Sequence, residues 1–436
     1  MTGKWSLTIL DNAVQINPPV PLARGETYPF VDMQGLHPGT RDVGQSEHRI
    51  FSGGGSRFMS GDTLMARITP CLENGKIARF KGSMPLEKAH GSTEFIVIRG
   101  KEGVTDNDFA YYLTRSDIVR ERAISQMTGS SGRQRVPIDA LRRLEVPIPS
   151  LAEQRAIAEI LGSLDDKIEL NRRMNETLEA MARAIFKSWF VDFDPVRAKM
   201  EGRWRKGQSL PGLPSDLYDL FPDHFVDSEL GEIPAGWKVG RVSDIGIIIC
   251  GKTPSTRQPE YYGDDVPFIT IPDMHGKTLS IVTQKRLSHA GAASQHNKML
   301  PPGSICVSCI ATPGLVVITS EVAQTNQQIN SVIPINMNHK FFWYWILREL
   351  GDDIRASGSG GSVLSNLSTS RFAELRILAP TSEVRSSYHS HVATLFDHIL
   401  ATDRGTITLA AIRDALLPKL ISGQIHTESK VDEIRG

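Results

Sequence analysis

An internal duplication constrains the fold of this 436-residue chain more than any other feature of its sequence. Three short segments recur in the same order about 230 residues further along, as expected of an internal repeat. The matching segments are Trp5 with Trp237, Gly61–Pro70 with Gly303–Pro313, and Val146–Pro149 with Ile377–Pro380. Two copies of one sequence pattern predict two domains of the same fold, one in each half of the chain.

Each copy is a mixture of short strands, turns and a few helices. Thr93–Ile98 and Ser304–Ile310 have the β-branched content and alternation that are typical of strands. The apolar spacing of Phe109–Ala123 and Lys340–Glu349 is instead that of helices. We therefore predict two α/β domains of roughly 150 residues each.

A long helical segment follows each copy. Between Ile157 and Trp189, apolar or seam positions recur in alternating steps of four and three residues, which is the 3.5-residue period of a coiled coil. Ser150, with Glu153 three residues later, is a typical helix start. A helix over 151–189 would be roughly 58 Å long, and its narrow apolar seam requires a partner. The predicted seam positions of this helix are Ile157, Leu161, Leu164, Ile168, Leu178 and Ile185.

The predicted partner is the corresponding segment of the second copy, Ser382–Leu420. Its seam positions are Val392, Leu395, Ile399, Leu409, Ile412 and Leu416. Gly405 weakens this seam, since glycine costs about 1 kcal/mol relative to alanine in a helix interior. Asn171 and Asn175 lie on the first seam and are expected to fix its register at some cost in stability. The alternative is two ordinary amphipathic helices, each packed on its own domain.

These patterns divide the chain into six segments. The predicted boundaries are 1–150 for the first domain, 151–190 for the first helical region, 191–235 for a loop-rich connector, 236–381 for the second domain, 382–422 for the second helical region and 423–436 for a tail. The proline and glycine residues of Leu210–Pro214 and Ile233–Gly236 mark the connector, because both residue types interrupt regular structure.

The composition restricts the class of protein. The 49 basic and 49 acidic side chains balance, so binding to nucleic acid would need a local basic surface rather than a high net charge. Four cysteines exclude a disulfide framework and suit a reducing compartment. The chain shows no signal-peptide pattern and no apolar run near the ~20 residues that a membrane-spanning helix needs. A cytoplasmic protein is therefore expected.

Three short patterns match known functional motifs in sequence but lack the structural features that the chemistry of those motifs requires. Gly246–Thr253 matches the phosphate-binding loop pattern, but its middle residues are predicted to form a strand and Pro254 obstructs the helix that the loop requires. Asn17–Val20 matches in part the motif of DNA amino-methyltransferases, but its last residue, a valine, cannot stack on an extruded base. Cys306 and Cys309 have metal-ligand spacing, yet on a strand they point to opposite faces. No catalytic site, metal site or cofactor is therefore predicted.

Two groups of segments carry a family resemblance. The helical group consists of Val146–Arg155, Leu161–Asn175, Leu178–Pro195 and Leu417–Gly423. The second group, from the domains, consists of Gly129–Pro137, Gly251–Ser255, Pro267–Pro272 and Asn326–Asn330. Together these segments closely resemble the specificity subunit of type I restriction–modification systems, and the resemblance covers essentially the whole chain.

The resemblance implies a fold and a set of partners. The expected fold class is α+β, with two α/β target-recognition domains separated by a long antiparallel coiled coil of the two helical regions and related by an internal pseudo-twofold repeat. A subunit of this kind reads a bipartite, asymmetric site in double-stranded DNA and has no catalytic site of its own. Methyltransferase subunits, two in the expected assembly, dock on the helices and supply S-adenosylmethionine chemistry, and a motor–nuclease subunit completes the restriction enzyme.

Candidate DNA-contacting residues lie in loops of each copy. In the first copy they are Asn74, Lys76, Ser130, Ser131, Arg133, Gln134 and Arg135, and in the second copy Lys252, Thr253, Arg257, Ser359 and Ser362 occupy comparable places. Arginine can pair with guanine, and glutamine with adenine, through two hydrogen bonds. The alternative for each loop arginine is a phosphate contact or a solvent-exposed position.

Two other functions remain open on the sequence alone. One is a stand-alone DNA amino-methyltransferase, motivated only by Asn17–Val20, which would bind S-adenosylmethionine by itself. The other is a coiled-coil scaffold without a DNA role, which would not be retained on duplex DNA even at low salt.

Overall fold

The computed structural model describes residues 5–130, 132–358 and 367–427, with side chains over these ranges apart from 352–358. The chain divides into two compact units, which we call unit 1 and unit 2. Unit 1 comprises Met1–Arg172 together with Gly405–Gly436, and unit 2 comprises Arg173–Arg404. Both boundaries fall inside long helices, so each unit contains part of each helical region.

The described residues of unit 1 form eleven strands and the helices that cover them. The strands are β1 (Ser6–Ile9), β2 (Val14–Ile16), β3 (Thr27–Val31), β4 (Asp42–Val43), β5 (Glu47–Ile50), β6 (Ser56–Met59), β7 (Thr63–Ala66), β8 (Ile77–Phe80), β9 (Lys88–Gly91), β10 (Phe95–Gly100) and β11 (Glu145–Ile148). The helices are α1 (Leu10–Ala13), α2 (Asn107–Arg115), α3 (Asp117–Ser125), α4 (Ile138–Arg142), the first part of α5 (Leu151–Phe190) and the last part of α11 (Ser382–Ile421). A single core joins α2 and α3 to β10 and to the start of α5.

Unit 2 contains the remaining elements. The strands are β12 (Phe225–Ser228), β13 (Gly231–Pro234), β14 (Lys238–Arg241), β15 (Gly246–Cys250), β16 (Tyr262–Ile269), β17 (Leu279–Ser280), β18 (Lys285–Leu287), β19 (Ile305–Ser308), β20 (Val316–Thr319), β21 (Gln324–Thr325), β22 (Ile329–Pro334) and β23 (Arg376–Ala379). The helices are the last part of α5, α6 (Asp194–Met200), α7 (Ile271–Met274), α8 (His289–Ala293), α9 (Lys340–Gly358), α10 (Thr369–Glu374) and the first part of α11.

The strand pairing confirms the duplication. The central sheet has the order β2-β10-β7-β8-β4 in unit 1 and β15-β22-β19-β20-β17 in unit 2, which is the same path through the same number of strands. The antiparallel pair β1-β11 corresponds to β14-β23, and the parallel pair β3-β9 corresponds to β16-β21. The predicted class of two mixed helix–sheet domains, each followed by a long helix, is therefore confirmed.

One predicted helix is divided in the structure. The segment Phe109–Ala123 is not continuous, because Ser116 adopts an extended conformation with ψ of 155°. Its backbone N–H satisfies the last carbonyls of α2, and the same residue precedes the first turn of α3. Apolar spacing alone could not reveal this break, since it continues across Ser116.

The two 40-residue helices α5 and α11 run antiparallel within each unit. In unit 1, Asp165 contacts Arg413 while Asn171 contacts Thr406. In unit 2, Asn175 contacts Asp403, and the Ala182 carbonyl accepts a hydrogen bond from the Tyr388 hydroxyl at 3.0 Å. Partner numbers fall as α5 numbers rise, so the helices pair with each other. The alternative, in which each helix packs only on its own domain, is wrong.

The predicted seam is inward-facing except at one position. Ile157, Leu161, Val392 and Ile399 are buried, and Leu164, Ile168, Leu178, Ile185, Leu395, Leu409 and Leu416 are half-buried. Ile412 corrects the prediction, since 43% of it is exposed and the neighbouring Arg413 takes the inward position with 3% exposed. The physical reason is a buried carboxylate, Asp165, which attracts the guanidinium into the seam. Gly405 lies within α11, and a Cβ added there would meet nothing within 4 Å.

Two asparagines interrupt the apolar seam with paired hydrogen bonds. The Asn171 amide donates to the Thr406 hydroxyl at 3.1 Å in unit 1. The Asn175 amide donates to the Asp403 carboxylate at 2.6 Å in unit 2. A buried polar group is satisfied only when its partner is opposite, so these pairs favour one register of the two helices.

The segment 191–235 belongs to unit 2 and contributes side chains to its core, rather than extending as a free linker. It contains α6 and the β12-β13 hairpin as well as loops. Trp204, Leu217 and Phe221 are buried in the same core as Tyr388 of α11. The composition of this segment predicts loops. It could not show that three large apolar side chains of the segment are buried together in one core.

Two histidines make the stability of unit 2 depend on pH. Burial, with the nearby Arg385, lowers the pKa of His339 to about 4. Burial, with Lys340, likewise lowers the pKa of His389 to about 4. An unfolded histidine titrates near pH 6.5, so between pH 6.5 and 4 the unfolded chain binds more protons than the folded chain.

We therefore expect unit 2 to lose stability progressively as the pH falls from 6.5 to 4. Urea unfolding followed by tryptophan fluorescence, to which Trp343 and Trp345 of unit 2 contribute, measures the midpoint at each pH. The double variant His339→Gln/His389→Gln is expected to show a flatter pH profile than the wild-type chain. Parallel profiles for the two proteins would show that other groups control acid unfolding.

Candidate nucleic-acid interface

In unit 1, the turn between β9 and β10 gathers three loops at one place. The Ser56 hydroxyl donates to the Phe95 carbonyl at 2.9 Å, which attaches the start of β6. The Arg67 backbone N–H donates to the Glu94 carbonyl at 3.0 Å, which attaches the end of β7. The Arg135 guanidinium donates to the Glu94 carboxylate at 2.7 and 3.0 Å, which attaches the loop before α4. We take this junction as the centre of the candidate interface in unit 1.

The loop before α4 is a closed backbone structure with an exposed tip. Thr128 and Arg135 exchange backbone hydrogen bonds of 3.0 and 2.8 Å. The Thr69 backbone N–H donates to the Gln134 carbonyl at 3.0 Å, which ties the loop to the chain beyond β7. Gly129 has a φ of +131°, a conformation that residues with a Cβ rarely adopt. The described residues of this loop on both sides of position 131 are therefore held by backbone hydrogen bonds.

The three polar side chains of this loop are in different situations. Arg133 is exposed, and its guanidinium forms no ion pair within the described part of the chain. Gln134 is half-buried. Arg135 is engaged by Glu94, and this hydrogen-bonded pair lowers the pKa of the Glu94 carboxyl. Ser130 is exposed, while Ser131 lies outside the described residues.

The Asn74–Lys76 turn joins β7 to β8 and is held by backbone acceptors. The Lys76 ammonium donates to the Met33 carbonyl at 2.7 Å, so this cation already has a partner. The Arg120 guanidinium donates to the Glu73 carbonyl at 2.8 Å. Asn74 is exposed and lines a cavity of about 440 Å³ together with Arg413 of α11. Of the two predicted contacts, only Asn74 has a side chain directed to solvent without such a bond.

In unit 2, contacts with Gln295 and with residues 326–327 hold the loop after β15 in place. A Cβ on Gly251 would lie 2.2 Å from the Asn326 carbonyl oxygen, so only glycine fits there. The Thr253 hydroxyl donates to the Gln327 side chain at 2.6 Å. The buried Gln295 amide donates to the Lys252 carbonyl and to the Gln324 side chain, each at 2.7 Å. Lys252 itself is exposed on this supported loop.

The topology corrects one predicted correspondence. Lys252, Thr253 and Arg257 lie between β15 and β16, so their counterpart in unit 1 is the loop 17–26 between β2 and β3. They are predicted in places comparable to the candidate loops of the first copy, but the strand order pairs them with neither the Asn74–Lys76 turn nor the loop before α4. The counterpart of that turn is 309–315, between β19 and β20. Short sequence echoes could not align these loops, because the offset between the two copies changes along the chain, from 232 residues at the start of β2 and β15 to 242 at the start of β7 and β19. Ser359 and Ser362 lie outside the described residues.

Two of the motif-like patterns lie in structural elements: one forms a strand, as predicted, and the cysteine pair has only Cys306 on a strand, since β19 ends at Ser308. Gly246–Cys250 forms β15, so the four middle residues of the phosphate-loop pattern are a strand rather than a loop. Cys306 and Cys309 are buried in two different cores, and burial raises the pKa of the Cys306 thiol to about 12. Over the ranges that the structure describes, no group of three His, Cys, Asp or Glu residues could hold a metal ion. None of the described helices is long and apolar enough to cross a membrane.

Sequence reasoning missed the residues that support these loops. Glu94 is 41 positions from Arg135, and Gln295 is 43 positions from Lys252. No local pattern marks either residue, because their roles depend on strand pairing. The signal that could have located them is the order of strands in the duplicated sheet.

Known families match most of this chain. A family described as the type I restriction modification DNA specificity domain matches residues 61–180 and 234–407. The specificity subunit of the type I restriction enzyme HindI from Haemophilus influenzae is 37% identical over 402 residues, covering 84% of this chain and 86% of that protein. The MjaIX specificity subunit from Methanocaldococcus jannaschii is 27% identical, covering 75% and 71% of the two chains.

A solved structure supports the fold. The S subunit of a type I restriction–modification system from M. genitalium superposes with a TM-score of 0.52 and 15% identity, covering 96% of each chain. At that identity the likeness concerns the fold alone.

Proposed function

Because the chain belongs to the family of type I restriction–modification DNA specificity subunits, we propose that it selects the DNA sequence on which such a system acts. The observation that carries this proposal is the repeated sheet order, with a supported loop that exposes a basic side chain in each unit. Arg133 is that side chain in unit 1, and Lys252 is an exposed basic side chain of unit 2 in a loop at a different position of the repeated fold. Two recognition domains of the same fold in one chain suit a DNA target that consists of two different half-sites.

We propose that the chain acts without a catalytic site of its own, in the cytoplasm. Methyltransferase subunits would dock on the paired helices and supply S-adenosylmethionine chemistry, and a motor–nuclease subunit would complete a restriction enzyme. Of the alternatives, a stand-alone methyltransferase has no support at Asn17–Val20. The Asn17 carboxamide accepts the Val97 N–H at 2.9 Å, and Val20 is buried. A scaffold without a DNA role does not account for the match to a DNA specificity domain.

The function is tested with the chain assembled with its methyltransferase subunits. We expect this complex to retain one bipartite duplex over unrelated duplexes at physiological salt, and to methylate only that site. We also expect the isolated chain to bind no S-adenosylmethionine. Stoichiometric binding of S-adenosylmethionine by the isolated chain would favour the methyltransferase alternative, and absence of duplex retention at low salt would favour the scaffold.

Arg133→Ala is expected to relax sequence preference in one half-site only. A bidentate arginine–guanine contact discriminates by about 5- to 150-fold against a wrong base, and Arg133 is an exposed side chain of the loop before α4. The measurement is the relative affinity of the assembled complex for duplexes with single changes in each half-site. Arg143→Ala, which removes another exposed arginine of unit 1, serves as the matched control. Equal loss for all duplexes would identify Arg133 as a phosphate contact instead.

A further inference from the structure

We propose that Arg24 and Arg57 of unit 1 form a clamp that binds the DNA phosphodiester backbone across Gly53. The proposal rests on the proposed function, since it names further residues of the same DNA-reading surface. It concerns the segment Ser52–Ser56, which leads from β5 into β6.

Both guanidinium groups meet at one glycine. A Cβ added to Gly53 would lie 2.7 Å from Nε and 2.9 Å from Nη2 of Arg24, so the guanidinium occupies the space that a side chain would fill. Nη2 of Arg57 donates to the Gly53 carbonyl at 3.4 Å. The Arg57 guanidinium also lies 5.0 Å from the centre of the Phe51 ring, which holds it by a cation–π contact.

The two charges have no acidic partner. Over the described ranges neither Arg24 nor Arg57 forms an ion pair, and both side chains are exposed. Their neighbour Arg49 differs, because it is paired with Glu47 and lies 3.9 Å from the centre of the Phe30 ring. Two like charges that meet at the same glycine, each without an ion pair among the described residues, favour binding of an anion.

The loop that carries the clamp is tightly fixed. Gly55 has a φ of +84°, and a Cβ there would lie 2.4 Å from the Gly91 carbonyl oxygen, so the backbone of this loop rests directly on β9. The Ser56 hydroxyl bonds to the Phe95 carbonyl, beside Glu94. The clamp therefore adjoins the junction that also holds the loop of Arg133.

A second loop places the clamp on the recognition side of unit 1. Gly55, Ser56 and Arg57 line a groove of about 680 Å³ with Asn17–Pro21. That segment belongs to the loop that corresponds, in strand order, to the Lys252 loop of unit 2. Both units therefore have a basic side chain at this position of the fold. In unit 2 it is Lys252, within the loop, and in unit 1 it is Arg57, beside the corresponding loop.

The geometry favours phosphate over a base edge. Reading a guanine requires an arginine that projects freely into the groove. Arg24 and Arg57 instead lie along the loop backbone, and an anion between them would be contacted from two sides. Phosphate contacts fix position on the duplex without reading sequence.

The test uses the chain assembled with its methyltransferase subunits and compares wild type with Arg24→Gln/Arg57→Gln. Each phosphate contact contributes about 0.9 to the slope of log affinity against log salt concentration, so the double variant is expected to lower the slope by about 1.8. Affinity for cognate and unrelated duplexes is expected to fall by a similar factor, roughly tenfold or more, with the methylated sequence unchanged. Arg24→Lys/Arg57→Lys keeps both charges and is expected to retain most of the slope.

Arg143→Gln is the matched control, because Arg143 is an exposed arginine of the same unit that forms no ion pair in the described structure. An unchanged slope in the double variant, or a slope change no larger than that of Arg143→Gln, would overturn the clamp. A change in base preference would also overturn it, since it would mark base contacts. If the wild-type complex itself does not retain duplex DNA, the proposed function fails, which is a separate result from failure of the clamp.

Discussion

Asp165→Ala is expected to lower the free energy of unfolding of unit 1 by about 3–5 kcal/mol, the usual cost of removing one partner from a buried ion pair. Arg413 of α11 is 3% exposed, and its guanidinium donates to Asp165 at 2.6 Å and to the Gly39 carbonyl at 3.0 Å. The Tyr112 hydroxyl donates to the other Asp165 oxygen at 2.8 Å. Without the carboxylate, the buried guanidinium would keep only the Gly39 carbonyl and the exposed Asp414 carboxylate as acceptors, and the Tyr112 hydroxyl would lose its acceptor.

Hydrogen exchange of the β7, β8 and β10 amides in the full chain measures this loss, because the most protected amides report the free energy of opening of the unit. Asp139→Ala is the control, since its exposed ion pair with Arg142 is expected to contribute less than about 1 kcal/mol. Replacing both partners, as Asp165→Leu/Arg413→Met, is expected to recover most of the stability. Similar losses for Asp165→Ala and Asp139→Ala would show that the buried pair is not important.

Removal of matched heptads from α5 and α11 is expected to change which spacing of half-sites the assembled complex recognises. Deleting Arg172–Leu178 together with Ile399–Gly405 removes Asn175 with its partner Asp403 and leaves the pair Asn171–Thr406. Seven residues of helix correspond to about 10.5 Å, or roughly three base pairs of DNA. We expect affinity for the normal site to fall by about 100-fold or more, with any remaining preference shifted to a shorter spacer.

Duplexes with spacers altered one base pair at a time provide the measurement. Gly405→Ala is the control of unchanged length, and it is expected to stabilise α11 by up to about 1 kcal/mol, because a Cβ at that position meets nothing within 4 Å. Its spacing preference is expected to equal that of wild type. If the doubly shortened chain keeps the normal spacing, helix length does not determine the distance between half-sites.

The duplication and the two long helices could be predicted because each is a property of the local sequence. Seam residues such as Ile157 and Leu161 were identifiable from their period alone. Ile412 was misplaced because the period cannot show that a buried Asp165 draws Arg413 inward. A single charged pair across two helices thus outweighed the apolar pattern at that position.

The candidate interface was predictable only in part. The loop of Arg133 stood out through its small residues and following arginines, but its ion pair between Arg135 and Glu94 joins distant positions. The Gly53 loop, with Arg24 and Arg57, carried no sequence signal, because its two arginines converge only after β3, β5, β6 and β9 have paired. Contacts that depend on sheet formation are not visible in residue spacing.

The packing of α11 has a consequence for biosynthesis. Leu417, Leu420 and Ile421 enter the same core as Leu10 and Ile157, although the ribosome makes them long after the rest of that core. Unit 1 therefore cannot complete its interior during translation of the first half, and nascent chains carry an unfilled apolar surface until α11 emerges. Quality-control proteases would find this surface on prematurely terminated chains, so that only full translation yields a protected product.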